Sequence, residues 1–281
     1  MAGRIKWTEK KIEELRRAGR GTGRGPDYRP WIEVQDFSSQ GRCLRRPSKK
    51  TGRSVHHFMS DIESRLFVAL EWQRDVSDIR EQFPLFDRGF TQQVARELKV
   101  AHPYYPQTHV PVVMTVDFMV TKVVSGKEVM VAYDAKDEGA LNDLNTLNKL
   151  EITREALALM GVQHHLVLDT SIPRKRIDNI EWIQLAAVRE GEVLPRPNYF
   201  EDLKASMESD LLKYRGNLTL SEYCRQFEEG VGLPRGTGLR VAKLLMLDRT
   251  LVPDLNLREI EKSLVKEMTI TARFGNLRAV A

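Results

Sequence analysis

The chain has little cysteine: Cys43 and Cys224 are the only two in 281 residues. Two thiols outside any Cys-x-x-Cys pair can build neither a disulfide framework nor a four-thiolate zinc site, and a reducing, cytosolic setting is expected. No run approaches the roughly 18 uninterrupted apolar residues of a membrane span. The opening residues, MAGRIKWTEKK, lack the apolar centre of a secretory signal. With 41% hydrophobic and 30% charged residues the chain has neither the polarity of a disordered protein nor the repeats of a fibrous one. Its length suggests about two folded domains.

What is present is an uneven distribution of charge. The net charge is only +5, but residues 1–53 carry 15 Lys and Arg against 6 Asp and Glu, residues 54–165 carry 11 against 16, and the remainder 18 against 17. The basic segment contains Gly-Arg-Gly-Thr-Gly-Arg-Gly-Pro at positions 19–26. That composition reads either as a solvated linker or as a flexible arm offering arginines to a phosphate-rich partner, with Arg20, Arg24, Arg29 and Arg53 as the candidate DNA contacts. A short helix, Thr8 to Ala18, is expected before it.

Apolar periodicity predicts a helix of about three turns from Ser60, with Ile62, Leu66, Phe67 and Leu70 on one side. Strand-like runs follow at Ser77–Leu85, Val110–Lys122, Glu128–Lys136 and His165–Thr170, with a long helical pattern from Leu141 to Met160 before the last. This order implies a mixed α/β sheet flanked by helices. After a boundary near Leu166–Pro173, helices are expected at Tyr199–Lys213, Thr219–Glu229 and Gly238–Asp248, then a short apolar piece at Thr250–Leu255 and a last helical segment. Such a unit suits a winged-helix or helix-turn-helix variant. Arg235, Arg240, Lys243 and Arg249 would give its third helix a basic side.

Asp117 interrupts the apolar run VVMTVDFMV, and the strand period puts it on one face with Val113, Thr115 and Met119. In VMVAYDAK the same period places Asp134 and Lys136 together with Met130 and Ala132. If these strands pair, two carboxylates converge as they do around a hard cation such as Mg²⁺, with an ammonium beside them for the charge on a scissile phosphate. Isolated, the same residues would be a strand-end acid and a surface ion pair. Glu63 fits two roles: Ser60-Asp61-Ile62-Glu63 reads as a capping box, yet Phe67 at i+4 and Leu70 at i+7 place Glu63 toward the sheet. His56 and His57 suit packing or a contact to DNA or metal, and Tyr104, Tyr105 and His109 a packed turn or a DNA contact.

Asp117 followed by Asp134-Ala135-Lys136, with a helical Glu63 before them, resembles the PD-(D/E)XK core of restriction-endonuclease-like nucleases. The stretches GRGTGRGPDYRPWIEVQDF, TGRSVHHFMSDIE and LEWQRDVSDIREQFPL resemble one family in particular, the TnsA endonuclease subunits of heteromeric cut-and-paste transposases. The resemblance implies a basic N-terminal arm and lead-in helix (1–53), a restriction-endonuclease-like core (54–170) and a winged-helix-like C-terminal domain (171–281). It implies Glu63, Asp117, Asp134 and Lys136 as catalytic residues. Glu63, Asp117, Asp134 and the Ala135 carbonyl are the expected holders of Mg²⁺, for which Mn²⁺ could substitute.

The family's activity is hydrolysis of the 5′ strands at transposon ends in the prokaryotic cytoplasm, beside a DDE recombinase, TnsB, that cuts and joins the 3′ ends. The C-terminal domain is expected to dock the AAA+ regulator TnsC. Where the best-known member has glutamine, this chain has Asp134, nearer the general nuclease pattern. The alternatives are a free-standing restriction or repair nuclease and a non-catalytic DNA-binding adaptor.

Overall fold

In the computed structural model, residues 5–36 and 44–271 are described; Cys43 lies outside them. The chain divides into two compact units, Met1–Ile172 and Pro173–Ala281.

The first unit begins with α1 (Glu9–Arg17), whose N-terminus is capped by the Thr8 hydroxyl. Its apolar stripe, Ile12 and Leu15, is buried with Trp31 and Val113. The glycine-rich run that follows is folded, which corrects the expectation of a flexible arm. Gly21 and Gly23 have φ of 73° and 92°. A Cβ on Gly21 would fall 2.3 Å from the Pro84 ring, and one on Gly23 2.4 Å from the Asp27 carbonyl oxygen. Glycine is needed at both positions for the backbone sign and the close approach, and the run lies against the end of the sheet.

A small hairpin, β1 (Leu44–Arg46) and β2 (His56–Phe58), precedes α2 (Asp61–Trp72). Among the described residues the main sheet has four strands, β3 (Val76–Leu85), β4 (Met114–Val124), β5 (Lys127–Lys136) and β6 (Gln163–Leu168), adjacent in that order. The first three are antiparallel neighbours. Ser125 and Gly126, both at positive φ, close β4 onto β5, the backbone sign that a tight hairpin requires. The step from β5 to β6 is parallel and needs a crossover, supplied by α4 (Leu144–Leu159).

Helix α3 (Arg88–Glu97) links β3 to β4 and was not expected; its sequence RGFTQQVARE is mostly polar, and the Asp87 cap gives its start. Met119 and Ala132, opposite each other in the β4–β5 pairing, pack with Ile152, Ala156 and Leu157 of α4. Elsewhere Phe118 lies close to Phe58 and to Phe67 of α2.

The second unit contains α5 (Arg174–Gln184), α6 (Tyr199–Lys213), α7 (Leu220–Val231) and α8 (Thr237–Leu247). It also has a two-residue antiparallel pair, β7 (Leu251–Val252) with β8 (Thr269–Ile270). Helix α5 was not expected between the boundary and Tyr199. The expected last helical segment is instead two short 3-10 turns and β8. Helix α8 packs on α5, α6 and α7, and Val241, Ala242 and Leu245 are fully buried. Its basic side is largely spent internally: Arg240 forms a two-pronged pair with Glu192, and the Lys243 ammonium lies 3.8 Å from the centre of the Trp182 ring.

Candidate active site

The candidate residues converge where β4 and β5 part. Their backbone pairing runs to Phe118 and Tyr133. Beyond that point each strand's aspartate bonds the other strand's backbone. Asp117 N–H donates to Asp134 Oδ1 at 3.1 Å, and Ala135 N–H donates to Asp117 Oδ2 at 2.8 Å. The two carboxylates replace lost ladder bonds and are thereby held at fixed positions, both buried. The Lys136 ammonium donates to Asp117 Oδ2 at 2.8 Å and to its neighbour's carbonyl, Ala135 O, at 3.2 Å, and stands 4.0 Å from Asp134 Oδ1.

Glu63 enters from the first turn of α2. Its Oε2 accepts from Met59 N–H at 2.9 Å and its Oε1 from the Ser60 hydroxyl at 2.9 Å, while its own N–H donates to Ser60 Oγ. The structure thus realises the Ser60 half of the capping box, with Met59 rather than Ser60 giving the return backbone N–H, and the same carboxylate also feels the site: burial first, then the Asp117 carboxylate, push its pKa up to about 7. Burial and Asp134 raise that of Asp117 as well, partly offset by Lys136. Burial disfavours the Lys136 charge, but Asp117 and Asp134 outweigh it and hold the ammonium protonated well above the ordinary lysine range. Fully ionised, three acids beside one ammonium would carry a surplus of negative charge, which a bound cation would offset.

Among the described residues no three His, Cys, Asp or Glu side chains form a ready metal cage. The donors nevertheless fit a hard cation of the Mg²⁺ type, which takes one or two carboxylates and completes its shell with water and substrate phosphate. Asp117, Asp134 and the Ala135 carbonyl supply oxygen donors at one place, and Glu63 is within electrostatic reach.

Two residues of this neighbourhood were missed in the sequence. Gln82, buried on β3, has φ of 47°, a costly conformation for a residue other than glycine. It falls between the Glu81–Phe118 and Phe83–Val116 pairs, across from Asp117. Its amide nitrogen donates to Glu63 Oε2 and its oxygen accepts from Thr115 Oγ1, both at 3.4 Å. His164, on β6, places Nε2 2.8 Å from Asp134 Oδ2. No side-chain period points to Gln82, and the predicted last strand began one residue after His164.

The expected DNA arginines divide. Arg20 is buried, with Nη1 2.7 Å from Asp36 and Nη2 3.1 Å from Glu33. Arg53 is buried in a two-pronged pair with Glu81, at 2.6 and 2.7 Å. These two guanidiniums are committed to carboxylates inside the protein, so their reading as phosphate contacts is corrected. Arg24 and Arg29 are exposed, Arg24 paired with Glu128 and Arg29 donating to the Ala18 carbonyl. His56 is buried between Glu81 and Thr51, and His57 takes the Val34 N–H on Nδ1. Tyr105 stacks on Trp7 at 4.9 Å, while Tyr104 is exposed.

A mixed sheet flanked by helices, with two aspartates, a lysine and a helical glutamate gathered where its strands part, has the architecture of the restriction-endonuclease-like fold class. Residues 73–169 match the family model of the TnsA-like endonuclease N terminal, and residues 171–255 that of the TnsA endonuclease C terminal. Over 241 residues, 85% of this chain and 84% of the relative, the sequence is 35% identical to the Transposon Tn7 transposition protein TnsA of Escherichia coli. The chain belongs to the TnsA endonuclease family, the DNA endonuclease subunits of transposases. No helix among the described residues is long and apolar enough to cross a membrane.

Proposed function

We propose that this chain hydrolyses the 5′ strands at the ends of its transposon, within an assembly in which TnsB processes the 3′ ends and TnsC docks on the C-terminal unit. The observation that carries the reading is the reciprocal clasp of Asp117 and Asp134 with Lys136 2.8 Å from Asp117. Mg²⁺, held by Asp117, Asp134, the Ala135 carbonyl and Glu63, would supply an activated water and stabilise the leaving oxygen. Lys136, being protonated, acts as a hydrogen-bond donor and positive charge toward the scissile phosphate. Asp117 fixes that ammonium, and Glu63 and Gln82 close the site on the α2 side. Arg24 and Arg29 are the exposed arginines that remain for the DNA backbone.

Retention of buried Glu63, Asp117 and Asp134 together with half-buried Lys136 in one cluster argues against an adaptor with a decayed centre. The test is strand-resolved mapping of cuts at the element's own ends with Mg²⁺, comparing wild type with Asp117→Ala, with and without the recombinase and the ATPase. Cuts confined to the 5′ strands, dependent on partners and lost in the variant, are expected. Intact 5′ strands beside efficient 3′ cutting would make the chain an adaptor, and cutting by the lone protein would make it a free-standing nuclease.

A further inference from the structure

The Asp134 carboxylate is restrained at both oxygens. Oδ1 takes the Asp117 N–H at 3.1 Å on the side facing Lys136. Oδ2 lies 2.8 Å from His164 Nε2, and both side chains of that pair are nearly inaccessible, at 5% for the histidine and 6% for the aspartate. An ionised carboxylate only accepts, so the proton of this bond belongs to Nε2 and the imidazole donates. The sheet register puts the donor there: β6 runs parallel to β5 with Ala132 opposite His164 and Asp134 opposite Leu166. Asp134 therefore reaches diagonally across to a residue on the same face of the neighbouring strand.

We propose that His164 is a positioning residue of the nuclease centre, fixing the Asp134 carboxylate so that Oδ1 is kept beside Asp117 and Lys136 as an oxygen donor for a divalent cation. The role rests on the reading of the site as a metal-dependent nuclease. Without the second bond the carboxylate would be anchored at one oxygen only and free to turn about its Cβ–Cγ axis, as unsupported ligands do. It would also leave Oδ2 buried without a donor. His164 borders an open surface pocket of about 450 Å³, lined also by Leu147, Leu150, Glu151, Arg154 and Leu166. Loss of the imidazole would thus open the back of Asp134 to that space. The pairing gives a physical reason for an acid at position 134: a carboxylate accepts from Asp117 N–H and from the imidazole at the same time.

The experiment measures Mn²⁺ binding to the full chain by calorimetry, and the Mg²⁺ dependence of 5′ cutting in the complete assembly. It compares wild type, His164→Leu, His164→Gln and Asp117→Ala. The Leu variant keeps bulk and removes the donor; the Gln variant restores an N–H. The expected result is about tenfold weaker Mn²⁺ binding and a matching rise in half-saturating Mg²⁺ for His164→Leu, with thermal melting retained and most of the loss recovered in His164→Gln. If the Leu variant fails to melt cooperatively, His164→Ala takes its place in the same comparison. Wild-type Mn²⁺ affinity in the donor-less variant, with binding abolished in Asp117→Ala, would overturn the role of His164 and leave the nuclease reading standing. No Mn²⁺ binding by wild type and Asp117→Ala alike would overturn both.

Discussion

Glu63 is a capping residue and a member of an acidic cluster at once, and the two roles act oppositely on its charge. Its bonds from Met59 and Ser60 favour the ionised form, while burial and Asp117 disfavour it more, leaving the pKa about 7 against an ordinary 4.5. The folded state thus holds a proton that the unfolded state releases, so stability must fall as pH rises from about 4.5 through about 7. The loss over this range amounts to about 3 kcal/mol, with a slope on the order of 1.4 kcal/mol per pH unit. In metal-free buffer, Glu63→Gln, which can still serve the cap, should flatten this dependence and melt above wild type at pH 8; an unchanged slope in the variant rules the explanation out. Cutting by the same variant is expected to be lost, since an amide cannot offer the charge.

Lys136→Ala removes the donor to Asp117 and should lower the maximal cutting rate by about 10²- to 10³-fold, the usual loss for one preorganised donor. Unchanged turnover at saturating Mg²⁺ would end its proposed role. Asp117, Asp134 and Lys136 were legible in the sequence because charge interrupts an apolar strand period. Gln82 and His164 were not, because one depends on a reversed φ and the other on a parallel register, and neither leaves a mark in side-chain spacing.

The hairpin β1–β2 and the chain before it are tied to β3 through one buried acid. Glu81 accepts both prongs of Arg53, the His57 N–H, and a bond with His56 Nδ1 at 2.9 Å, and the Tyr28 hydroxyl donates to its backbone carbonyl at 2.9 Å. Burial works against its charge, but His56 and Arg53 prevail and hold the carboxyl at about 2. Glu81→Gln leaves the Arg53 charge buried without its partner and should cost about 3–5 kcal/mol at pH 7. For a depressed pKa the contribution is complete above the unfolded value near 4.5 and fades as pH falls toward 2, so the gap between variant and wild type should narrow over that range. Urea melts at pH 7 and pH 3 check it; a gap of the same size at both excludes ionic linkage.

At this scale the strands could be read from their β-rich apolar runs, and α4 because no glycine or proline falls between Leu141 and Met160; its own apolar residues follow almost no helical period. The glycine run could not, since its composition suits a linker and only the contacts of Gly21 and Gly23 reveal a folded path. Helix α5 was hidden by Pro173, which sits at its N-cap, where a proline is compatible with a helix start.

Over the whole molecule, the centre and the helical region belong to different compact units. Glu63, Asp117, Asp134, Lys136 and His164 all lie in Met1–Ile172, together with α1 to α4 and the main sheet. Residues 173 onward have their own interior: Ile180 and Ile183 of α5, Met207 of α6, Leu220 of α7 and Val241 and Leu245 of α8 are fully buried. Each unit is of a size that sustains an independent core. Residues 1–172 and 173–281 expressed separately should therefore each melt cooperatively. The first should keep the Mn²⁺ affinity of the full chain, and the second should bind TnsC without it. A first fragment that folds but loses Mn²⁺ binding would mean that the centre needs groups from the second unit. A second fragment that folds but does not bind TnsC would move that docking surface onto the nuclease unit, and the near balance of charge over residues 166–281 would then need another explanation.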